Sequence, residues 1–254
     1  MIIRKSKAEI ETMAAAGRIV AGCLALLEEQ VEPAVTTAAL DAAAEEYIHS
    51  QGGVPTFKGY RGYPAATCLS PNDMVVHGIP NGYALREGDI LSVDVGVTLD
   101  GFVADSAWTF PVGEITPEAQ RLLDACKAAL EAGIEQARTG NAVADISAAV
   151  QGRTEEAGFT VIRSLVGHGV GRSMHEDPQI PNFVTASRGA GLKTGMTLAI
   201  EPMITAGAAE VYVHDDEWSI STVDGSLAAH FEHTVAVTDE GPRILTAKAP
   251  ALVP

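Results

Sequence analysis

Cysteine is scarce in this chain of 254 residues, which contains only Cys23, Cys68 and Cys126. The number is odd, and no two of these residues form a CxxC pair. A disulfide framework of the kind that stabilises small secreted domains is therefore excluded. Cys23 and Cys126 fall at apolar helical positions, where thiols pack as small hydrophobic groups. These features are typical of a reduced, cytoplasmic protein.

Basic residues and long apolar runs are also few. The chain has 17 lysines and arginines against 33 aspartates and glutamates, which gives a formal net charge of −16. Because phosphate contacts require clustered basic side chains, this balance argues against nucleic acid or an anionic membrane surface as a partner. No stretch approaches the roughly 18 apolar residues of a membrane span, and charges occupy the N-terminus where a signal peptide has its apolar core.

Four segments show the apolar spacing of amphipathic helices, namely 6–30, 36–51, 117–138 and 141–157. Ser6 followed by Glu9 predicts a capping box at the first, and Pro117 suits the first turn of the third. A shift of 106 residues aligns the first helix pair with the second at seven identical positions in 29. Two interpretations remain open, an internal duplication or two similar alanine-rich helix pairs.

Strand-like alternation follows each helix pair. The segment "DILSVDVGVTLDGFVADSAWTF" alternates around an Asp100-Gly101 turn, and "MTLAIEPMI" and "AAHFEHTVAVTD" alternate in the second half. No low-complexity linker interrupts the chain. We therefore predict a single α+β domain over 1–254, with two equivalent halves at about 6–115 and 116–245.

Acidic side chains interrupt these apolar strands. A hairpin centred on Asp100-Gly101 places residue 96 opposite 105 and residue 94 opposite 107. Asp94 and Asp105 are then diagonal neighbours on one face of the sheet, roughly 7 Å apart at the backbone. Two carboxylates on apolar strands repel each other and are costly to desolvate, and a metal ion between them removes both costs.

Two more acids and one histidine extend this pattern. Glu201 ends the apolar run "LAIEPM", and Glu232 lies in "HFEHTVAV". The stretch "VGHGVGRSMHEDPQIP" adds His168, whose flanking glycines argue against a regular helix. A single acid of this kind is more typical of a solvent-facing strand, so the prediction depends on the whole set. Carboxylates with one imidazole are typical ligands of Mn, Fe(II) or Co, and a bridging carboxylate pair indicates two ions.

The order Asp94, Asp105, His168, Glu201 and Glu232 resembles the five-ligand dinuclear site of type I methionine aminopeptidases. The surrounding words match as well, among them "GYRGYPAATCLSPNDMVVHGIP", "VDVG…DGFVAD", "GHGVGRSMHEDPQIPNF", "LAIEPM" and "FEHTVAVT". The resemblance covers nearly the whole chain and implies the pita-bread fold, whose halves are related by a pseudo-twofold axis. It also implies a monomer of the bacterial type, without an N-terminal extension.

The resemblance implies a role for each ligand. Asp94 and Asp105 bind metal, Asp105 and Glu232 bridge the two ions, and His168 and Glu201 complete the shell of one of them. In this family a metal-bridged hydroxide attacks the scissile carbonyl, and Glu201 is expected to shuttle the proton.

The resemblance also identifies substrate contacts. His175 is expected to bind the substrate carbonyl and stabilise the oxyanion, and His77 to contact the scissile nitrogen. Both also belong to the substrate-binding set, whose other members form the methionine pocket: Phe57, Tyr60, Tyr63, Cys68, Met174 and Trp218.

Other histidines and basic residues have no such match. His214, His230 and His233 correspond to no ligand position, and we expect them on the surface or in packing. Arg4, Lys5 and Lys7 form a small basic tip at the N-terminus. A transient ribosome contact and a solvated helix start are the two interpretations of this tip.

These features predict an enzyme that removes the initiator methionine from nascent peptides when the second residue is small. Two alternatives differ in class. A proline-specific aminopeptidase or dipeptidase of the same fold usually carries a large additional N-terminal domain. A metal-free protein of this fold that only binds peptides has lost ligands, whereas all five are present here.

Overall fold

The computed structural model describes residues 2–247, which contain four α-helices and fifteen β-strands. The helices are α1 (Lys7–Gln30), α2 (Thr37–Ser50), α3 (Pro117–Glu135) and α4 (Val143–Glu156). The strands of the first half are β1 (Val54–Pro55), β2 (Thr67–Pro71), β3 (Met74–Val76), β4 (Ile90–Leu99) and β5 (Phe102–Pro111). Those of the second half are β6 (Thr160–Val161), β7 (Val166–Gly169), β8 (Glu176–Pro181), β9 (Thr197–Ile200), β10 (Met203–Thr205), β11 (Val211–Val213), β12 (Ile220–Thr222), β13 (Ala228–His230), β14 (His233–Thr238) and β15 (Gly241–Ile244).

Helices α1, α2 and α3 begin at side chains that accept hydrogen bonds from the first turn. The capping box predicted for α1 is present, since the Ser6 hydroxyl accepts from the Glu9 backbone N–H and the Glu9 carboxylate accepts from that of Ser6. Thr36 and Thr116 cap α2 and α3 in the same way. Each such cap is worth about 1 kcal/mol because it satisfies an otherwise unpaired N–H group.

The junction between α3 and α4 differs from the prediction. Helix α3 ends at Glu135 rather than 138, and α4 begins at Val143 rather than 141. The Arg138 guanidinium donates to the Glu135 carbonyl and the Asn141 amide donates to the Gln136 carbonyl. These side chains satisfy the last carbonyls of α3, and so the chain turns before Gly140.

The first half is built around the β4–β5 hairpin. Strand β5 pairs with one edge of β4, and β1 and β2 pair in succession with the other edge, all antiparallel. Helix α1 packs on β4 and β5, and its buried stripe of Val20, Leu24 and Leu27 joins the core of that half.

The second half repeats this organisation with different strands. Its five-stranded antiparallel sheet has the order β15-β14-β9-β7-β8, and β13, β10 and β6 form a smaller sheet beside it. Helix α3 packs against this layer through Leu130 and Ile134, which lie in one cluster with Leu198 and Ile200. The arrangement is the predicted helix pair and antiparallel sheet in each half.

Helix α1 contradicts the expectation that no segment of the sequence approaches the apolar character of a membrane span. By length and composition it is apolar enough to cross a membrane, with a mean hydropathy of 1.6 in its best window, and no other helix among residues 2–247 passes that test. Of that window 61% is buried inside the structure. Its small apolar residues face the sheet, and Arg18 and the glutamates flank them. The apolar character of α1 is therefore accounted for by packing.

Candidate metal centre

The β4–β5 hairpin brings two carboxylates to one face. Gly96 pairs with Asp105 and Asp94 pairs with Ala107, which confirms the register predicted from the Asp100-Gly101 turn. A Cβ atom on Gly96 would lie 2.8 Å from the Phe57 ring, so glycine leaves the space that this ring occupies beside Asp94. Asp105 is 2% exposed, which makes its carboxylate part of the protein interior.

Glu201 and Glu232 lie at two facing interruptions of the second-half sheets. Ile200 pairs with His233 and Met203 pairs with His230, and the same register places Glu201 opposite Glu232. Pro202 ends β9 as predicted, because it has no N–H group for the ladder. The alternating segment around Glu232 is broken at 231–232 into β13 and β14, rather than forming one strand.

Hydrogen bonds join this interruption to the first-half hairpin. The Glu232 backbone N–H donates to the Ala107 carbonyl at 2.8 Å, and the Ser106 hydroxyl donates to the Glu232 carbonyl at 2.5 Å. The Thr234 hydroxyl accepts from the Asp105 N–H and donates to the Asp105 carbonyl. Glu232 is thereby held against Asp105, although 127 residues separate them in the sequence.

His168 comes from β7, in the middle of the five-stranded sheet. Side chains on its neighbours Gly167 and Gly169 would collide with the carbonyl oxygens of Ala199 and Asp177, so these glycines permit close strand packing. The His168 Nε2 atom is 3.4 Å from the Glu201 Oε1 atom. One ligand atom each of Asp105, His168 and Glu232 lies within 4.8 Å of the other two.

The donor set fits a divalent cation. Asp94 Oδ1, Asp105 Oδ1 and Glu232 Oε1 are buried without a hydrogen-bond partner in the described part of the chain, which is costly for carboxylates unless a cation neutralises them. Burial raises the pKa of Asp94 to about 7. Burial, followed by the neighbouring carboxylates, also raises the pKa values of Asp105, Glu201 and Glu232 well above their usual range. Oxygen donors with one imidazole are a set that Mn, Fe or Co accepts.

We expect the metal-free protein to lose stability as the pH rises from about 6.5 to 8, where the unfolded carboxylates are already ionised. The raised pKa of Asp94 means that the folded state retains a proton which the unfolded state has released, so stability falls as the pH passes through about 7. Burial also lowers the pKa values of His77 and His168 to about 4, and that opposing effect fades between about pH 6.5 and 7.5 as the unfolded histidines lose their protons. Thermal unfolding of chelator-treated protein across this range measures the slope.

Saturating Mn²⁺ should flatten this dependence, because the bound cation makes the ionised form the stable one. In the metal-free protein, Asp94→Asn should also reduce the dependence of stability on pH. An unchanged slope in the presence of Mn²⁺ would contradict a cation site at these carboxylates.

All thirteen residues predicted for the site line one cavity of about 300 Å³. The five predicted ligands and the predicted substrate-binding residues line it together with other side chains, among them Met203 and His230. His77 adopts a positive φ of 60°, a conformation that costs a non-glycine residue about 1 to 3 kcal/mol and is commonest at functional sites. His175 is exposed at the mouth, and its Nδ1 atom lies 2.9 Å from the Tyr60 hydroxyl.

The apolar end of the cavity is aromatic. The Trp218 ring meets the Tyr63 ring edge-to-face at 5.1 Å and the His77 ring at 6.5 Å. Tyr63, Cys68 and Met174 are buried, and they belong to one apolar cluster. The Tyr63 hydroxyl donates to the carbonyls of Thr67 and Gly78, so it is satisfied outside the cavity.

The structure corrects the sequence analysis at His230. This residue is 2% exposed and lines the cavity, with its Nε2 atom 3.7 Å from Glu201 Oε2. It was expected on the surface or in packing, yet the alternation predicted for this segment places it on the same face as Glu232, two residues later. That period of two is the signal by which it could have been found, although the structure ends the strand at His230. His214 and His233 lie outside the cavity, where they contact Ser221 and Thr246.

The structure also corrects the predicted environment of Lys5. It was grouped in a basic tip at a solvated helix start, but only 2% of its side chain is exposed and its ammonium is paired with the Glu176 carboxylate. A Cβ atom on Gly171 would overlap Lys5, so this glycine makes room for the lysine. Arg4 and Lys7 remain exposed.

Comparisons with known proteins agree with this site. Residues 11–239 match the model of metallopeptidase family M24. A methionine aminopeptidase of Clostridium perfringens is 48% identical over 246 residues, which are 97% of this chain and 99% of that protein. The crystal structure of a methionine aminopeptidase from Thermotoga maritima superposes with a TM-score of 0.95 at 44% identity and covers 97% of this chain and 99% of that one.

A prolidase from Pyrococcus furiosus is more distant. It superposes with a TM-score of 0.79 at 22% identity, and the match covers 98% of this chain but 66% of that one. That likeness is one of fold alone. Together the comparisons confirm the predicted pita-bread fold, and the identity favours the methionine-specific relatives over the proline-specific ones. This chain belongs to metallopeptidase family M24 and, within it, to the methionine aminopeptidases.

Proposed function

We propose that this methionine aminopeptidase removes the initiator methionine from nascent peptides with a small second residue, using two divalent ions held by the five ligands. The observation that carries this proposal is the convergence of four carboxylates and one imidazole on a single cavity, with three buried carboxylate oxygens that have no hydrogen-bond partner among residues 2–247. Asp94, Asp105, His168, Glu201 and Glu232 would hold the ions. Mn, Fe(II) and Co are the ions that suit these donors.

The chain's own residues divide the remaining work. Bound divalent ions supply a water of lowered pKa as nucleophile and polarise the carbonyl. Glu201 would receive a proton from the nucleophile and return it to the leaving nitrogen, because its carboxylate lines the cavity. His77 lines the same cavity and would contact the leaving nitrogen.

His175 is arranged to donate to the substrate carbonyl. Burial lowers its pKa, which favours the neutral imidazole. The Tyr60 hydroxyl lies 2.9 Å from Nδ1, and a hydrogen bond donated by this hydroxyl would place the ring proton on Nε2. An Nε2–H group directed at the carbonyl oxygen stabilises the negative charge that develops there.

The apolar end of the cavity suits a methionine side chain. Phe57, Tyr63 and Trp218 present ring edges and faces, and a thioether gains from contact with aromatic rings. Cys68 and Met174 add polarisable sulfur to the same wall. The cavity holds about 300 Å³, enough for one side chain and its neighbouring peptide, which favours removal of a single residue.

We place the reaction in the cytoplasm and expect a monomer. The formal net charge of −16 argues against nucleic acid as a partner. A transient ribosome contact through the N-terminal basic residues would depend on Arg4 and Lys7, since Lys5 is buried.

Peptide hydrolysis tests the proposed function. We expect metal-stripped protein to release methionine from Met-Ala-Ser only after Mn²⁺, Fe²⁺ or Co²⁺ is restored, and to leave Met-Leu-Ser and Ala-Pro-Ala intact. Cleavage of Ala-Pro-Ala instead would assign the chain to the proline-specific branch. Absence of cleavage with every metal would contradict the proposal.

A further inference from the structure

His230 is a buried imidazole that belongs neither to the five predicted ligands nor to the predicted substrate contacts. Its backbone N–H donates to the Thr109 hydroxyl, and that hydroxyl donates to the His230 carbonyl, both at 2.9 Å. Only 3% of its side chain is exposed, and its Nε2 atom is buried with no hydrogen-bond partner from residues 2–247. Leaving such a group unpaired costs about 1 to 3 kcal/mol, which indicates that Nε2 has a partner in the working enzyme.

Two carboxylates face this nitrogen. His230 Nε2 is 3.7 Å from Glu201 Oε2 and 3.9 Å from Glu232 Oε2. His168 lies on the other side of Glu201, with its Nε2 atom 3.4 Å from Oε1. Within residues 2–247, these two imidazoles carry the only basic nitrogens within 4.0 Å of the Glu201 carboxylate. Each oxygen of Glu201 therefore faces a different histidine.

The two oxygens differ in their surroundings. Oε1 faces His168 and the ligand set, whereas Oε2 faces His230. Ligating carboxylates are commonly oriented by a hydrogen bond to the oxygen that the metal does not take. A shift of less than about 1 Å brings Nε2 and Oε2 to hydrogen-bond distance, and such contacts often tighten only in the loaded enzyme.

We propose that His230 is a positioning residue, whose Nε2–H donates to Glu201 Oε2 and holds that carboxylate in the orientation for metal binding and proton transfer. The inference rests on the proposed function, because it is that function which makes Glu201 a metal ligand and a proton shuttle. Burial, with the nearby His77, lowers the pKa of His230 to about 3, in keeping with a neutral ring that carries one proton.

The test compares His230→Ala with His230→Gln, because glutamine retains an N–H donor on a side chain of similar reach. Calorimetric titration of metal-stripped protein with Mn²⁺ should show an affinity about 10- to 100-fold weaker in the alanine variant. The glutamine variant should bind close to the wild-type value. The kcat for Met-Ala-Ser should fall in the alanine variant with KM little changed, because the methionine pocket is formed by other residues.

His233→Gln is the matched control. His233 is also buried and directly follows Glu232 in sequence, but its ring contacts Trp108 and Thr246 outside the cavity. Its replacement should leave the Mn²⁺ affinity unchanged, so that a general loss of packing can be recognised.

Electron spin-echo spectra of protein with one equivalent of Mn²⁺ count the coordinated imidazoles. We expect the same single coordinated imidazole in the wild type and both His230 variants. Loss of a nitrogen coupling in both variants would make His230 a metal ligand and overturn the proposal, as would an unchanged affinity in His230→Ala. If Asp105→Asn binds Mn²⁺ as tightly as the wild type, an unchanged affinity in His230→Ala would instead contradict the five-ligand site itself.

Discussion

Replacing Asp105 by asparagine should lower metal-dependent release of methionine about a thousandfold or more, which corresponds to ~4 kcal/mol of transition-state stabilisation. Asparagine keeps the size and one oxygen but removes the charge from the position that faces both Asp94 and Glu232. The expected cause is loss of the bridging ligand, so the affinity for Mn²⁺ should fall together with kcat. Steady-state hydrolysis of Met-Ala-Ser and calorimetric titration measure the two effects.

Asp100→Asn is the matched control for this experiment. Asp100 belongs to the same hairpin but lies exposed at its tip, where its φ of 50° suits asparagine equally well. Its replacement should change neither kcat nor metal affinity. Normal activity in Asp105→Asn would mean that the reaction does not depend on this carboxylate.

Glu176→Gln should reduce the free energy of unfolding by about 3 to 5 kcal/mol, because it leaves the ammonium of Lys5 buried without its counterion. Glu176 also accepts from the backbone N–H groups of Arg172 and Ser173. The pair thus joins the N-terminal segment to the loop that carries Met174 and His175. Urea unfolding, followed by circular dichroism, measures the loss.

Two further variants separate the buried charge from other causes. Lys5→Met combined with Glu176→Gln should recover part of the loss, since no unpaired charge then remains inside. Glu11→Gln breaks the exposed ion pair with Arg243 and should change stability by less than about 1 kcal/mol. A similarly small effect of Glu176→Gln would show that Lys5 reaches solvent.

Local signals predicted those parts of the fold in which partners are close in sequence. Ser6 and Glu9 lie three residues apart, and the helix they cap begins where the pattern indicates. Asp100-Gly101 sets the register of the β4–β5 hairpin, because a two-residue turn leaves one pairing for the flanking strands. The end of α3 was placed three residues too late, since competing side-chain bonds from Arg138 and Asn141 leave no periodic trace.

The resemblance named the ligands, but it carried no information about residues outside the family pattern. His230 was assigned away from the site, although the alternation predicted around Glu232 places the two residues on one strand face. Lys5 was assigned to solvent because a lysine near a helix start is ordinarily exposed, and its partner Glu176 is 171 residues away. Nothing in the local sequence around Lys5 reports that distant partner.

The sequence by itself determined the helix pairs, the Asp94–Asp105 hairpin and the identity of the five expected ligands. Hydrogen-bonding geometry and side-chain period act over a few residues, and so they can be read from short segments. Only the tertiary structure decided that Glu232 lies against Asp105, that His168 faces Glu201, and that Lys5 and His230 are buried. Those contacts join segments 29 to 171 residues apart, and they depend on how the two halves bury their apolar faces together. Burial is a property of the whole fold, which no single segment encodes.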